Sequence, residues 1–222
     1  GSPVTITGQD QTVTAEGTGT FTVNLDNVFK SRDTNNFTCT VTGATWGSQG
    51  RTFDGVDDKI EIPDQDYWSF AGDFSLIVWA KWTADASWWI NALLAHTEKP
   101  DTNKKWYLSY DSGNTATIFH IHDNVTGQNI LSAVWTRTLG TFYCIGMKRV
   151  GNNYTFYKDG QANGTATQSQ AIVATAAPLK IGHGEGAGGL TGTVGEALIY
   201  STRGLSDGEF LNQYLATKWR YV

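Results

Sequence analysis

Long apolar runs, basic stretches and metal-type cysteine spacings are all missing from this 222-residue sequence. No stretch is apolar for long enough to span a bilayer, and none has the shape of a signal-peptide core. The sequence therefore predicts a soluble chain without membrane insertion. Sixteen Lys and Arg against 21 Asp and Glu give a net charge of −5. With no basic run or stripe, nucleic acid and anionic membranes are excluded as natural partners. Only two cysteines occur, Cys39 and Cys144, far apart in sequence. No C-x-x-C or Cys/His spacing accompanies them, which argues against zinc; one long-range disulfide and two buried thiols both stay open. No internal repeat appears at a period of about 20–50 residues, which argues against propellers and solenoids.

What is present is glycine, threonine and asparagine, with charged residues at only 17%. That composition suits many short strands joined by turns, in one large all-β domain or two small ones. Period-two alternation recurs in VTITG, GTFTVNL, KIEIP, GDFSLIVWAKW, KWYLSY, TATIFHIH, TFYCIGMKRV, NYTFYKDG, PLKIG and TVGEALIY, all read as strands. KRVGNNYTFYKDGQ reads as a hairpin, with Asp159-Gly160 closing the next turn. In DFSLIVWAKW, Phe74, Leu76, Val78 and Trp82 face one way while Ile77 and Trp79 face the other. A central strand covered on both sides explains this. One segment, LSDGEFLNQYLATKW, reads as a helix. Ser206 and Glu209 form a capping box, and Phe210, Leu211, Tyr214, Leu215 and Trp219 make an apolar stripe that should dock on the sandwich. Asn-x-Ser/Thr sequons stand at Asn36, Asn124, Asn153 and Asn163.

Four pieces in order resemble the laminin-G-like, concanavalin-A-like jelly-roll family. They are ATWGSQGRTFDGVDDKIEIPD, FAGDFSLIVWAKW, FYCIGMKRVGNNYTFYKDGQ and TGTVGEALIYSTRGLSDGEFLNQYLATKW, together spanning about residues 40 to 222. The resemblance implies an all-β fold: a two-sheet antiparallel jelly-roll sandwich with one short C-terminal helix, often steadied by calcium. It implies a module that binds glycans or proteins in a secreted, cell-surface or virion setting. Residues 28–222 are read as this domain. Residues 1–27 are read as extra strands, or as a connector from an upstream domain.

The acidic knot FDGVDDKIEIPD can be a catalytic pair, a metal site or a turn. Glycosidases of the same fold carry their carboxylates as E-x-D-x-x-E or E-x-D-x-E on one strand, and no such spacing occurs here. Glu61 and Asp64 differ in parity, Glu196 stands alone, and SYDSGNTA echoes a sialidase box without its Trp and only once. The chain is therefore expected not to be an enzyme. Asp54 is expected to bond its own turn, and Asp57 and Asp58 are the candidate ligands of a structural calcium ion. His120 and His122 could hold a transition metal but lack a third ligand. For a carbohydrate, the candidates are Trp82, Trp88, Trp89, Trp106, Tyr110, His120, His122 and Asn124. Ring stacking on a Trp would be combined with imidazole and amide partners. Several of these lie in or beside ADASWWINALLAHTEKPDTNKK, read as a long excursion between strands. Trp79, Trp135 and Trp219 are expected in the core. The expected function is a non-catalytic glycan-binding or adhesion module of a larger extracellular or virion protein, whose partners are a carbohydrate or cell-surface glycan and a further protein in an assembly. The alternatives are a structural or oligomerising domain of a viral appendage and a glycoside hydrolase of the same fold.

Overall fold

The computed structural model describes residues 11–15, 19–23, 27–85, 91–98, 102–185 and 189–222. β1 (Gln11–Ala15) and β2 (Gly19–Val23) pair only with each other. Short strands follow: β3 (Val28–Lys30), β4 (Thr38–Thr42), β5 (Thr45–Gly47), β6 (Gly50–Asp54) and β7 (Lys59–Ile62). Longer ones come next: β8 (Phe74–Trp82), β9 (Ala92–Thr97), β10 (Lys104–Asp111), β11 (Ala116–Asp123) and β12 (Gly127–Leu131). The chain closes with β13 (Phe142–Val150), β14 (Asn153–Lys158), β15 (Gln161–Thr167), β16 (Leu179–Ile181), β17 (Thr191–Tyr200) and the helix α1 (Asp207–Thr217).

These strands build two antiparallel sheets, in the orders β12-β11-β10-β9-β16-β7-β4-β3 and β15-β14-β13-β8-β17-β6-β5. The jelly-roll sandwich and its C-terminal helix are as expected. β8 lies mid-sheet and sends Phe74, Leu76, Val78 and Trp82 into the space between the sheets. Its Ile77 and Trp79 face outward, into a second apolar cluster under the helix. The β13–β14 turn is Gly151-Asn152, and Asp159 and Gly160 both take positive φ in the next one, as two-residue hairpins require.

The capping box on α1 is complete: Ser206 Oγ accepts from Glu209 N, and the Glu209 carboxylate accepts from Ser206 N. Its buried face differs from the expected stripe. Phe210 and Thr217 are buried and Tyr214 half-buried, while Leu215 and Trp219 point to solvent, Trp219 at 72% exposure. One hydrogen bond and a change of helix pitch explain this. Trp79 Nε1 donates to Thr217 Oγ1 at 2.8 Å, which orients the helix, and the chain turns into a 3-10 coil after Thr217. That change of pitch carries Trp219 off the docked face. Trp79 and Trp135 are core residues as expected.

The supposed excursion after β8 holds β9, a wholly buried strand between β10 and β16. Its run of small and aliphatic residues is buried on both sides, so it lacks the alternation that marks a half-exposed strand. Cys39 and Cys144 are both free: Cys39 lies between the sheets and Cys144 in the cluster under the helix.

Candidate functional site

With the helix on the outer face of the seven-stranded sheet, the outer face of the eight-stranded sheet carries the polar candidates. Alternation on β10 sends Trp106, Leu108 and Tyr110 into the core and turns Lys105, Tyr107 and Ser109 outward. His120 pairs with Tyr107 across the ladder, and the two rings stack at 4.7 Å between centroids and 15° between planes. Lys105 beside them is ion-paired to Glu185 at 2.7 Å, from the segment after β16. His120 Nδ1 lies 2.6 Å from Asn129 Oδ1, so the proton sits on Nδ1. Burial pulls the His120 pKa down to about 4, which keeps the ring neutral near pH 7.

Towards solvent the patch continues through His122, Asn103 and Asn124. His122 Nδ1 accepts the backbone N–H of Asn124 at 3.0 Å, so Nε2 carries the proton. Asn103 Nδ2 lies 2.7 Å from that Nε2; turned over, the amide would offer its oxygen as the acceptor this tautomer needs. Asn124, itself at a positive φ that asparagine tolerates, accepts the Asn103 backbone N–H through Oδ1 at 2.8 Å. Gly127 lies over the two imidazoles. A Cβ there would meet His122 Cδ2 at 2.9 Å and His120 Cε1 at 3.2 Å, so glycine is what lets the turn pack this closely on the two rings. His122, Asn124, Gly127 and Asn129 are thus reachable, held in place by β10, β11 and the β11–β12 turn.

The aromatic part of the expected site changes. Trp82 and Trp106 are fully buried and Tyr110 is 2% exposed, all facing the inter-sheet core. Trp106 Nε1 donates to Trp68 O at 2.7 Å and Tyr110 Oη donates to Trp135 O at 2.9 Å, so even their polar ends are used inside. None of the three can stack on a sugar, because alternation on β8 turns Trp82 inward and alternation on β10 turns Trp106 and Tyr110 inward. Trp88 and Trp89 lie outside the described residues. Exposed aromatic rings that the sequence reading did not single out are Trp46 and Tyr67. Trp46 packs one face on the Arg51 guanidinium, 4.1 Å from the ring centroid. Neither residue sits in a distinctive local pattern that could have marked it.

The acidic knot closes on itself. Asp54 Oδ1 accepts Val56 N at 2.8 Å, the expected turn bond, and buried Asp58 accepts Asp54 N at 2.8 Å through Oδ2. Gly55 holds φ +86°, and a side chain there would strike Thr191. Carboxylate oxygens of Asp54, Asp57 and Asp58 nevertheless lie within 4.8 Å of one another. Burial raises the Asp58 pKa, and its two acidic neighbours add to the rise. A hard divalent cation would relieve that repulsion, so the donor set fits one.

Residues 54–209 match the family described as the concanavalin A-like lectin/glucanases superfamily. Among solved structures, domain 4 of AbnA, a GH43 extracellular arabinanase from Geobacillus stearothermophilus in complex with arabinotriose, is similar. The TM-score is 0.64 at 15% identity, over 83% of this chain and 92% of that one. Trypanosoma rangeli sialidase is similar with a TM-score of 0.61 at 19% identity, over 88% of this chain and 33% of that one. The chain therefore spans about a third of the length of the sialidase. None of the curated protein sequences compared matches it.

Proposed function

We propose that this chain, which belongs to the concanavalin A-like lectin/glucanases superfamily, is a non-catalytic glycan-binding module of a larger extracellular or virion protein. The carrying observation is the reachable amide and imidazole cluster of His122, Asn124 and Asn129 at the β11–β12 end of the eight-stranded sheet, beside the buried Lys105, Tyr107 and His120. Fixed amides and imidazoles are the donors and acceptors that sugar hydroxyls use. The similar arabinanase domain, seen with arabinotriose, supports the same ligand class. A binding rather than a catalytic role is supported by the acids of this face: Glu61 is ion-paired to Lys59, Glu185 to Lys105, and Asp111 accepts from Gly113 and Asn114. Each is engaged in this way, which supports binding over general-acid chemistry. Asp57 and Asp58, with Asp54, hold a structural calcium ion in this reading.

A glycan array probed with the purified chain, with calcium and with EDTA, tests the proposal. Hits that weaken in both His122→Ala and Asn124→Ala, with melting temperature retained, support it; an empty array in both conditions sinks it.

A further inference from the structure

A groove elsewhere on the molecule shares no residue with the site above. It runs between the 3-10 turn Asp66–Trp68 and the turn that follows β17, has a volume of about 460 Å³, and is lined by Asp66, Tyr67, Phe70, Asp73, Ser201 and Thr202 among others. That volume lies within the roughly 300–1,000 Å³ usual for small-molecule sites.

Its aromatic wall is preorganised. Tyr67 is 43% exposed, yet its ring is fixed from two sides: Phe37 packs edge-on at 5.5 Å, and the hydroxyl donates to Asn35 Oδ1 at 3.1 Å. The floor is held in an unusual backbone state. Phe70 takes φ +34°, a conformation that bulky residues rarely adopt, and its stack on Phe74 at 4.1 Å keeps it there. That conformation starts the Ala71-Gly72-Asp73 turn, so Asp73 joins the lining. Its Oδ1 accepts Gly151 N at 2.8 Å, which leaves the second oxygen to the groove. Among the described residues, no hydrogen bond uses the side-chain oxygens of Asp66, Ser201 or Thr202.

One fixed ring, two free hydroxyls and two carboxylates suit a polyhydroxylated ring better than an ammonium group. Cation recognition encloses the charge with several rings, and here Phe70 is only 2% exposed, leaving Tyr67 as the single platform. The two acids bear no compensating base in the lining, so the groove repels carboxylated sugars. We propose that this groove is a second ligand site, one that binds a neutral sugar ring on the face of Tyr67 and rejects sialylated glycans. The proposal rests on the glycan-binding reading above and adds a location and a charge preference to it.

Amide chemical-shift mapping separates the two. The isotope-labelled chain is titrated with neutral arabino- and gluco-oligosaccharides and with a sialylated oligosaccharide. Shifts at residues 66–73 and 201–202 with the neutral sugars, and none with the sialylated one, are expected. Tyr67→Ala should weaken that binding by about tenfold, whereas Tyr67→Phe keeps the ring and the affinity. Asp66→Asn should narrow the discrimination against the sialylated sugar. Shifts confined to residues 103 and 120–129 would overturn the groove and leave the first site standing. Shifts at neither place, with millimolar sugar, would overturn both. Equal binding of the sialylated sugar at residues 66–73 would overturn the charge preference, and with it the proposal.

Discussion

Asp58 accepts the backbone N–H of Asp54 across 2.8 Å, so the first and last acids of the FDGVDD turn are tied to each other. The bond is buried at its Asp58 end. Removing the acceptor strands a backbone donor, at a cost of roughly 1–3 kcal/mol. Asp58→Ala should therefore lower the free energy of unfolding by that amount in urea. Asp58→Asn, which keeps an acceptor oxygen, should lower it far less. Equal losses would show that charge and not the hydrogen bond matters.

The same three carboxylates make a calcium prediction. Millimolar calcium should raise the melting temperature and EDTA should reverse the rise. Asp57 is exposed and makes no turn bond of its own. Asp57→Asn should thus remove the calcium response while leaving the melting temperature in EDTA unchanged. A wild-type chain indifferent to calcium would leave the knot as a turn and nothing more.

His120 makes stability pH-dependent in a known direction. Its folded pKa is near 4, below the ordinary 6.5, because burial disfavours the charged ring. The unfolded chain takes up the proton first, so stability is complete above about pH 6.5 and is lost as the pH falls towards 4. The share of this one residue is at most roughly 3 kcal/mol. His96 and His183 are also depressed by burial and act in the same direction. Unfolding at pH 7 and pH 4.5 should show a smaller acid loss in His120→Gln than in the wild type. An unchanged acid loss would mean that His120 is already charged in the fold.

Helix docking depends on Thr217 more than on the apolar residues at the helix end. Thr217→Val would leave the buried Trp79 Nε1 without its 2.8 Å acceptor and should cost about 1–3 kcal/mol. Ser206→Ala removes the N-cap and should cost about 1 kcal/mol. Trp219→Ala, at a largely exposed ring, should change stability by less than about 0.5 kcal/mol. A large loss at Trp219 with none at Thr217 would reverse this account of the docked face.

The sandwich was legible because strand period, hairpin glycines and a capping box are local signals, each readable within a few residues. β8 shows it best: its two apolar parities in sequence are its two buried faces in space. β9 was not legible, since ALLAHT is buried all round and carries no alternation. Of the candidate site, the sequence made only the placement of the two imidazoles legible. His120 and His122 share a strand face by simple alternation. Trp82, Trp106 and Tyr110 belong to the same stretch, but parity alone does not say which face is the core.

The sequence by itself thus determined the class of fold, the helix and its cap, and the turn bond of Asp54. Tertiary structure alone decided exposure. Asn103 meets His122 and Asn124 from 19 and 21 residues away, and Lys105 finds Glu185 from 80 away. The Tyr67 groove exists because β17 brings Ser201 and Thr202 beside a turn more than a hundred positions earlier. Local signals report how a segment prefers to fold. Whether its side chains meet water, a neighbour or a ligand depends on which distant segments pack against it, and that is set only when the sheets close.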